Sequence, residues 1–351
     1  MKRKVHKLKA TDFFCSGGGM TYGMRQAGIE VIAGIDNDPT VKATYEKNNP
    51  GCVFLLKDIF EYHPTDLEQD LNIKRNDDNM IFIGCSPCQY WSIIRTDKKK
   101  AEKSKDLLKE FHRFVKYFKP GFVVIENVPG LERKAEESGL KEFVDDLEKW
   151  GYTVHYQIYK LNEYGVPQTR KRFSLIASRI VKSKIKPEKS NYCPTVRDFI
   201  GGNNRLMEIK AGYKEKNNIR FHSCASLSDE NLKAIMKSLP GKPPAKKRKK
   251  FKGKGFRDSY GRMSWDKPAP TITTKFFSLS NGRFGHPEEN RAISIREGAL
   301  LQTFPFDYIF INNDESQTSM QIAAKIIGNA VPPEFAKRIG EAIKKAVKNE
   351  K

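Results

Sequence analysis

The sequence predicts an α/β fold, a largely parallel sheet covered by helices on both faces, followed by a second, smaller domain. Short apolar runs alternate with helix-patterned segments through the first 180 residues, the mark of βαβ units. Each run ends on polar or reactive residues, and open α/β sheets bind ligands at the carboxyl ends of their strands. The chain has 351 residues, 38% hydrophobic and 11% aromatic, which is enough for a real core and too long for a single core of ordinary size.

The first strand is expected over 8–14, followed by a glycine-rich turn and a helix over 21–27. A second strand over 31–35 ends at Asp36, and Asp38 with Pro39 opens a helix towards residue 48. Strands over 53–56 and 80–84 end at Asp58 and at Cys85-Ser86-Pro87-Cys88. A long helix over 103–118 comes next, because Leu107, Leu108, Phe111, Phe114, Val115 and Phe118 recur at helical spacing. The strand over 122–125 ends at Glu126-Asn127, and runs over 152–161 and 173–177 complete a sheet of about seven strands. The texture then turns to Lys, Asn, Gly and Pro. Regular periodicity returns after Phe304-Pro305 as one closing helix over 319–347. The expected organisation is 1–183 as the main domain, 184–318 as the smaller one, and 319–351 as a helix returning to the first.

Lys and Arg number 64 against 42 Asp and Glu, a formal charge of +22. Such a surface attracts polyanions, nucleic acid first among them, although lysines also serve solubility alone. Lys246, Lys247, Arg248, Lys249, Lys250, Lys252 and Lys254 form a basic run that reads as a solvated loop, an import signal or a phosphate contact. Phe251, Phe256, Tyr260 and Trp265 interleave with Arg257 and Arg262, a composition suited to phosphate contact and base stacking. No run approaches the roughly 20 apolar residues of a membrane span, and residues 1–9 are basic with no apolar signal segment behind them. Six cysteines in such a chain read as free thiols in a reducing compartment.

Four constellations carry chemistry. In Asp12-Phe13-Phe14-Cys15-Ser16-Gly17-Gly18-Gly19 the glycines let backbone approach a ligand, and a helix amino terminus lies just beyond. Asp36, 17 residues beyond Gly19, lies near the spacing at which a carboxylate meets a ribose, and Asp58 adds a further acid; helix capping is the alternative for either. Cys85-Ser86-Pro87-Cys88-Gln89 reads as a redox dithiol, half a metal site, or one nucleophile held by a rigid Pro. No His falls at ligand spacing, the context is not thioredoxin-like, and Pro87 beside Cys88 fits the nucleophile best. Glu126, leaving an apolar strand, is a proton donor or half of a structural ion pair. Arg170 and Arg172, two apart on an extended segment, face one side and either serve one site or lie on the surface.

These residues resemble the DNA (cytosine-5)-methyltransferases. The match runs in the family's order through 12–19, Asp36, Asp58, Ser86-Pro87-Cys88-Gln89, Glu126-Asn127-Val128, Gln168-x-Arg170-x-Arg172, Arg296-Glu297 and Gly328-Asn329-Ala330-Val331-Pro332-Pro333. The resemblance implies a Rossmann-like S-adenosylmethionine-dependent methyltransferase sheet with a smaller target-recognition domain. It implies cofactor contacts from Phe14, Cys15, Ser16, Gly17, Gly18, Gly19, Asp36, Asn37, Asp58, Ile59, Asn329, Ala330 and Val331, with Phe14 on the adenine and Asp36 on the ribose. Cys88 becomes the nucleophile at cytosine C6, Glu126 the partner of N3, and Arg170, with Arg172, the contact to O2. Gln89, Ser92, Arg257, Arg262 and Arg283 are the candidate DNA contacts. Two positions depart from the family pattern: Ser16 stands where it usually has Gly, and Ala330 where it often has Ser.

The expected activity is transfer of a methyl group from S-adenosylmethionine to C5 of a flipped-out cytosine in a specific double-stranded DNA sequence. The expected enzyme is a metal-free monomer, cytoplasmic and nucleoid-associated, with a cognate restriction endonuclease a candidate neighbour. A transfer-RNA methyltransferase on the same scaffold is the runner-up. A silent DNA-binding protein and a thiol redox protein are rivals of other classes.

Overall fold

A computed structural model describes residues 7–86, 106–215, 221–242 and 259–350. The chain forms two compact units, one of Met1–Lys160, Lys171–Glu188 and Pro333–Lys351, the other of Leu161–Arg170 and Lys189–Pro332.

The first unit is built on seven strands: β1 (Lys9–Phe13), β2 (Glu30–Asp36), β3 (Val53–Leu56), β4 (Met80–Gly84), β5 (Phe122–Asn127), β6 (Thr153–Lys160) and β7 (Lys171–Ser178). Their order is β3-β2-β1-β4-β5-β7-β6. β1 to β5 are mutually parallel, but β7 runs antiparallel to both β5 and β6, so the sheet is mixed rather than all parallel. The reason is the link between β6 and β7. Residues 161–170 are too few for a crossover, which takes a dozen or more, so the chain must turn back as a hairpin.

Helices α1 (Gly19–Gln26), α2 (Lys42–Asn48), α3 (Pro64–Leu71), α4 (Leu107–Phe118), α5 (Gly130–Arg133) and α6 (Leu140–Lys149) connect the strands. The helical periodicity of α4 is realised in full. Leu107, Leu108, Phe111, Phe114, Val115 and Phe118 are all buried. Phe111 and Phe114 close on Phe13 of β1 with ring centroids 5.2 and 5.1 Å away. These contacts lock the end of β1, where the glycine turn begins.

In the second unit the described helices are α7 (Val196–Ile200), α8 (Asp229–Met236), α9 (Ile295–Leu301) and α10 (Met320–Asn329). The single closing helix expected over 319–347 is in fact two, α10 and then α11 (Pro333–Asn349) in the first unit. Pro332 and Pro333 explain the break: neither has an N–H for the preceding turn, and Ala330 is extended. α11 packs against α1 so closely that a Cβ on Gly23 would lie 2.2 Å from the Pro333 carbonyl oxygen. No described helix is long and apolar enough to cross a membrane.

With little regular backbone, the second unit relies on buried charge. Arg291 is fully buried and grips Glu297 through two bonds, Nη1 to Oε2 at 2.6 Å and Nη2 to Oε1 at 2.8 Å. Burial alone would raise the Glu297 carboxyl, but Arg291 holds it down at about 2. This contribution to stability is complete above the ordinary value of 4.5 and is lost as pH falls towards 2. Glu297→Gln strands the Arg291 charge and is expected to cost about 3–5 kcal/mol in urea unfolding at neutral pH. A loss below about 1 kcal/mol would show the pair to be dispensable.

Candidate active site

The turn after β1 is the most strained piece of backbone near the sheet edge. Phe14 and Ser16, both L residues, have φ of 63° and 46°, and Gly18 at the helix start has φ of 88°. Left-handed geometry at an L residue costs roughly 1–2 kcal/mol, so something must hold it. Asp36 at the end of β2 does. Its Oδ2 accepts from the Ser16 N–H at 2.8 Å, and its Oδ1 accepts from the Asp38 N–H at 2.9 Å. Gly17, Gly18 and Gly19 come next, buried, and α1 starts without a side-chain cap.

Beside this turn lies a cleft of about 430 Å³, open to solvent, lined by Phe14, Ile35, Asp36, Asn37, Lys57, Ile59 and Leu107. Four sequence-predicted cofactor residues, Phe14, Asp36, Asn37 and Ile59, therefore share one cleft. Asp58 lies between two lining residues but is exposed, and its carboxylate accepts from the Phe60 N–H at 3.1 Å. The donor set suits a nucleoside, since Phe14 and three aliphatic side chains offer a surface for a flat base and Asp36 offers an acceptor for hydroxyls. Cys15 is buried, its thiol pushed up by burial and by Asp36 and Asp12. Lys57 and Leu107 were not legible as lining residues: Leu107 reads only as helix core, and nothing local marks Lys57.

Under the turn sits Asp12, fully buried, with Oδ2 accepting from Thr21 Oγ1 at 2.7 Å. Thr21 in turn meets the Tyr45 hydroxyl at 3.1 Å, joining β1, α1 and α2 beneath the glycine turn. Burial pushes the Asp12 carboxyl up to about 7 despite the Thr21 hydroxyl.

The ends of β4 and β5 bring a second group of residues together. Glu126 is 6% exposed, and Arg172 Nε lies 3.0 Å from its Oε1. Register explains the pair. Ser174 of β7 is opposite Glu126, and Arg172, two residues along, shares its face. Asn127 donates from Nδ2 to both the carbonyl and the hydroxyl oxygen of Ser86, each at 3.1 Å. The Asn127 Oδ1 accepts from the Val128 N–H at 2.8 Å. Cys85 has a thiol raised by burial and by the Asp12 and Glu126 carboxylates, an environment that disfavours a thiolate and hence the redox-dithiol reading. Cys88, Gln89, Ser92 and Arg257 lie outside the described residues, as does the basic run over 246–254.

Arg170 and Arg172 do not share one face of one strand, because β7 begins only at Lys171. The Arg170 guanidinium is buried on carbonyls of its own unit, those of Ile272 at 2.9 Å, Gly328 at 3.1 Å and Ala330 at 3.3 Å. Arg262 also departs from expectation. It is 5% exposed and donates to the carbonyls of Ser238, His286 and Glu289 and to the Asn290 side chain, so its guanidinium is engaged within its own unit and holds that fold together. Arg283 is half-buried, with Nη1 3.4 Å from the Gly241 carbonyl oxygen. Asn329, Ala330 and Val331 form the turn that ends α10.

The family description of C-5 cytosine-specific DNA methylases matches residues 8–345 of this chain. The chain belongs to this family. This methylase is 39% identical over 345 residues to the Type II methylase M.HgiDII of Herpetosiphon aurantiacus, covering 95% of this chain and 94% of that one. It is 29% identical over 347 residues to the Type II methyltransferase M1.HphI of Haemophilus parahaemolyticus, covering 98% and 88%. In fold it is similar to a candidate prophage-encoded DNA modification methyltransferase of Escherichia coli, with a TM-score of 0.74 at 20% identity, covering 97% and 100%.

Asp12 gives a pH signature. The folded methylase keeps a proton that the unfolded chain releases near 3.8, so this residue makes stability fall as pH rises from about 4 to 7. Asp12→Asn keeps the shape without the charge and should flatten that stretch of the curve. Urea midpoints at several pH values test it, and an unchanged slope would remove Asp12 as its source.

Proposed function

We propose that this methylase modifies C5 of a flipped-out cytosine within a specific double-stranded DNA sequence, as the methylase of a Type II restriction-modification system. It would act as a monomer at the nucleoid in the cytoplasm, paired with a cognate endonuclease. One observation carries the chemistry: Glu126, buried and paired with Arg172, stands at the end of β5, while the adjacent Asn127 ties down Ser86, two residues before Cys88.

Cytosine C5 is a poor nucleophile. Addition of the Cys88 thiolate to C6 makes it electron-rich, and Glu126 holds a proton at N3 so that the ring carries no full negative charge. O2 neighbours N3 on the ring, so a base that meets Glu126 through N3 brings O2 within reach of Arg172; Arg170, engaged on carbonyls, acts by holding backbone. Asp36 and Phe14 are the residues to bind ribose and adenine, with Asn37, Ile59 and the glycine turn around them. When bound, S-adenosylmethionine supplies a methyl group made electrophilic by its sulfonium. Loss of the C5 proton and expulsion of Cys88 restore the aromatic ring. C6 is inaccessible inside a duplex, so the base must leave the stack at a cost of about a few kcal/mol, offset by pocket contacts.

Cys88→Ala should abolish methyl incorporation into duplex DNA, whereas Cys85→Ala should keep most of it. A duplex carrying 5-fluorocytosine should form a covalent adduct with wild type and not with Cys88→Ala; the reverse pattern would move the nucleophile. Incorporation into transfer RNA but not into duplex DNA would overturn the substrate class. Glu126→Gln should slow turnover about 10²–10⁴-fold with cofactor affinity retained, and equal loss of both would make Glu126 a structural residue. Bisulfite sequencing of DNA from expressing cells reads the modified base and its context.

A further inference from the structure

The turn that ends α10 lacks some of its own hydrogen bonds. Helix continuity would have residue 332 donate to the Gly328 carbonyl, but residue 332 is proline and has no N–H. The backbone here is also close-packed, since a Cβ on Gly328 would lie 2.4 Å from the Thr273 carbonyl carbon and the Thr274 nitrogen. Side chains from elsewhere in the second unit supply the missing donors. Arg170 Nη2 takes the Gly328 and Ala330 carbonyls. Gln302, fully buried just beyond α9, donates from Nε2 to the Ile327 carbonyl at 3.0 Å and the Ala330 carbonyl at 2.8 Å.

Gln302 is itself aimed by a neighbour. Gln168, also fully buried, donates from Nε2 to Gln302 Oε1 and to the Leu301 carbonyl, and its Oε1 accepts from the Ile272 N–H at 3.1 Å. The Gln168 bond fixes which end of the Gln302 amide faces α10: the oxygen is occupied, so the NH₂ group points at the two carbonyls. A polar side chain beside Leu300, Leu301 and Phe304 was the signal in the sequence, though the carbonyls it meets lie 25 and 28 residues away and Gln168 lies 134 away.

We propose that Gln302 is a positioning residue for the cofactor. It clamps the Ile327 and Ala330 carbonyls on either side of Gly328-Asn329, so that the turn running through Asn329, Ala330 and Val331 keeps its shape before any ligand arrives. This rests on the reading that these three residues border S-adenosylmethionine. Gln302 touches no ligand; its effect passes through backbone that the ligand meets.

Gln302→Met keeps the length and removes both donors, and Gln302→Glu keeps the acceptor for Gln168 while placing a carboxylate against two carbonyls. Calorimetric titration with S-adenosylhomocysteine should show about tenfold weaker binding for Gln302→Met, from the loss of two hydrogen bonds. KM for S-adenosylmethionine should rise while KM for DNA stays put. In Gln302→Glu, affinity should be weak at neutral pH and recover as pH falls and the carboxyl gains a proton to donate; because protonation of a buried carboxylate also restores stability, the titrations are compared only at pH values where circular dichroism shows the variant fully folded. Binding within twofold of wild type in both variants, or KM for DNA rising as much as KM for the cofactor, would overturn the proposal. Should Gln302→Met fail to fold, the pH dependence of Gln302→Glu decides, and its absence counts against the proposal. Failure of the wild-type protein to bind S-adenosylhomocysteine would sink the cofactor reading instead.

Discussion

Phe13, Ile35, Gly84 and Ile125 lie level with one another in four neighbouring parallel strands. Parallel pairing then dictates where the next residue of each strand goes: Phe14, Asp36, Cys85 and Glu126 must all arrive at the same edge of the sheet. The register is itself fixed by side chains that have to be buried on both faces. β4 and β5 are buried throughout, so a slip of one residue would exchange the side chains packed on the two faces, spoil the fit on both, and move Glu126 out of place. The chemistry of this edge is thus a consequence of core packing several residues away.

Delivering polar groups to one edge is only half of what a site requires, since they must also be held. Here the holding is done by side chains that bond to backbone. Asp36 spans the glycine turn and the start of the next helix, and Asn127 joins the ends of β5 and β4. Each replaces ladder bonds that a strand loses where it ends, and each costs little entropy because its own strand is already fixed. Strain in the turn at Phe14 and Ser16 persists because these bonds over-determine it.

The second unit solves the same problem with arginine. A region with few regular ladders leaves carbonyls to be satisfied singly, and buried Arg170, Arg262 and Arg296 all donate to carbonyl oxygens, while Arg291 balances Glu297. Part of the excess of basic residues is therefore internal scaffold, a use that a count of charges does not reveal. A guanidinium suits the task because its fork satisfies several acceptors at once without losing its proton.

By itself the sequence determined the strands, the long amphipathic helix and the polar residues at the strand ends. Each is written in local periodicity, in apolar runs and in the residues that terminate them: α4 shows its buried stripe directly, and Asp36 and Glu126 are the first acids after their runs. What the tertiary structure decided depends on partners distant in the chain. The direction of β7 came from the shortness of its link. Arg170 and Arg172 differ because one belongs to a turn and the other to a strand that faces Glu126, although two residues separate them. Arg262 became scaffold because carbonyls up to 27 residues away surround it. Residue type and spacing specify what a side chain can donate, but which acceptor receives it is set by the packing of segments that the local pattern does not encode.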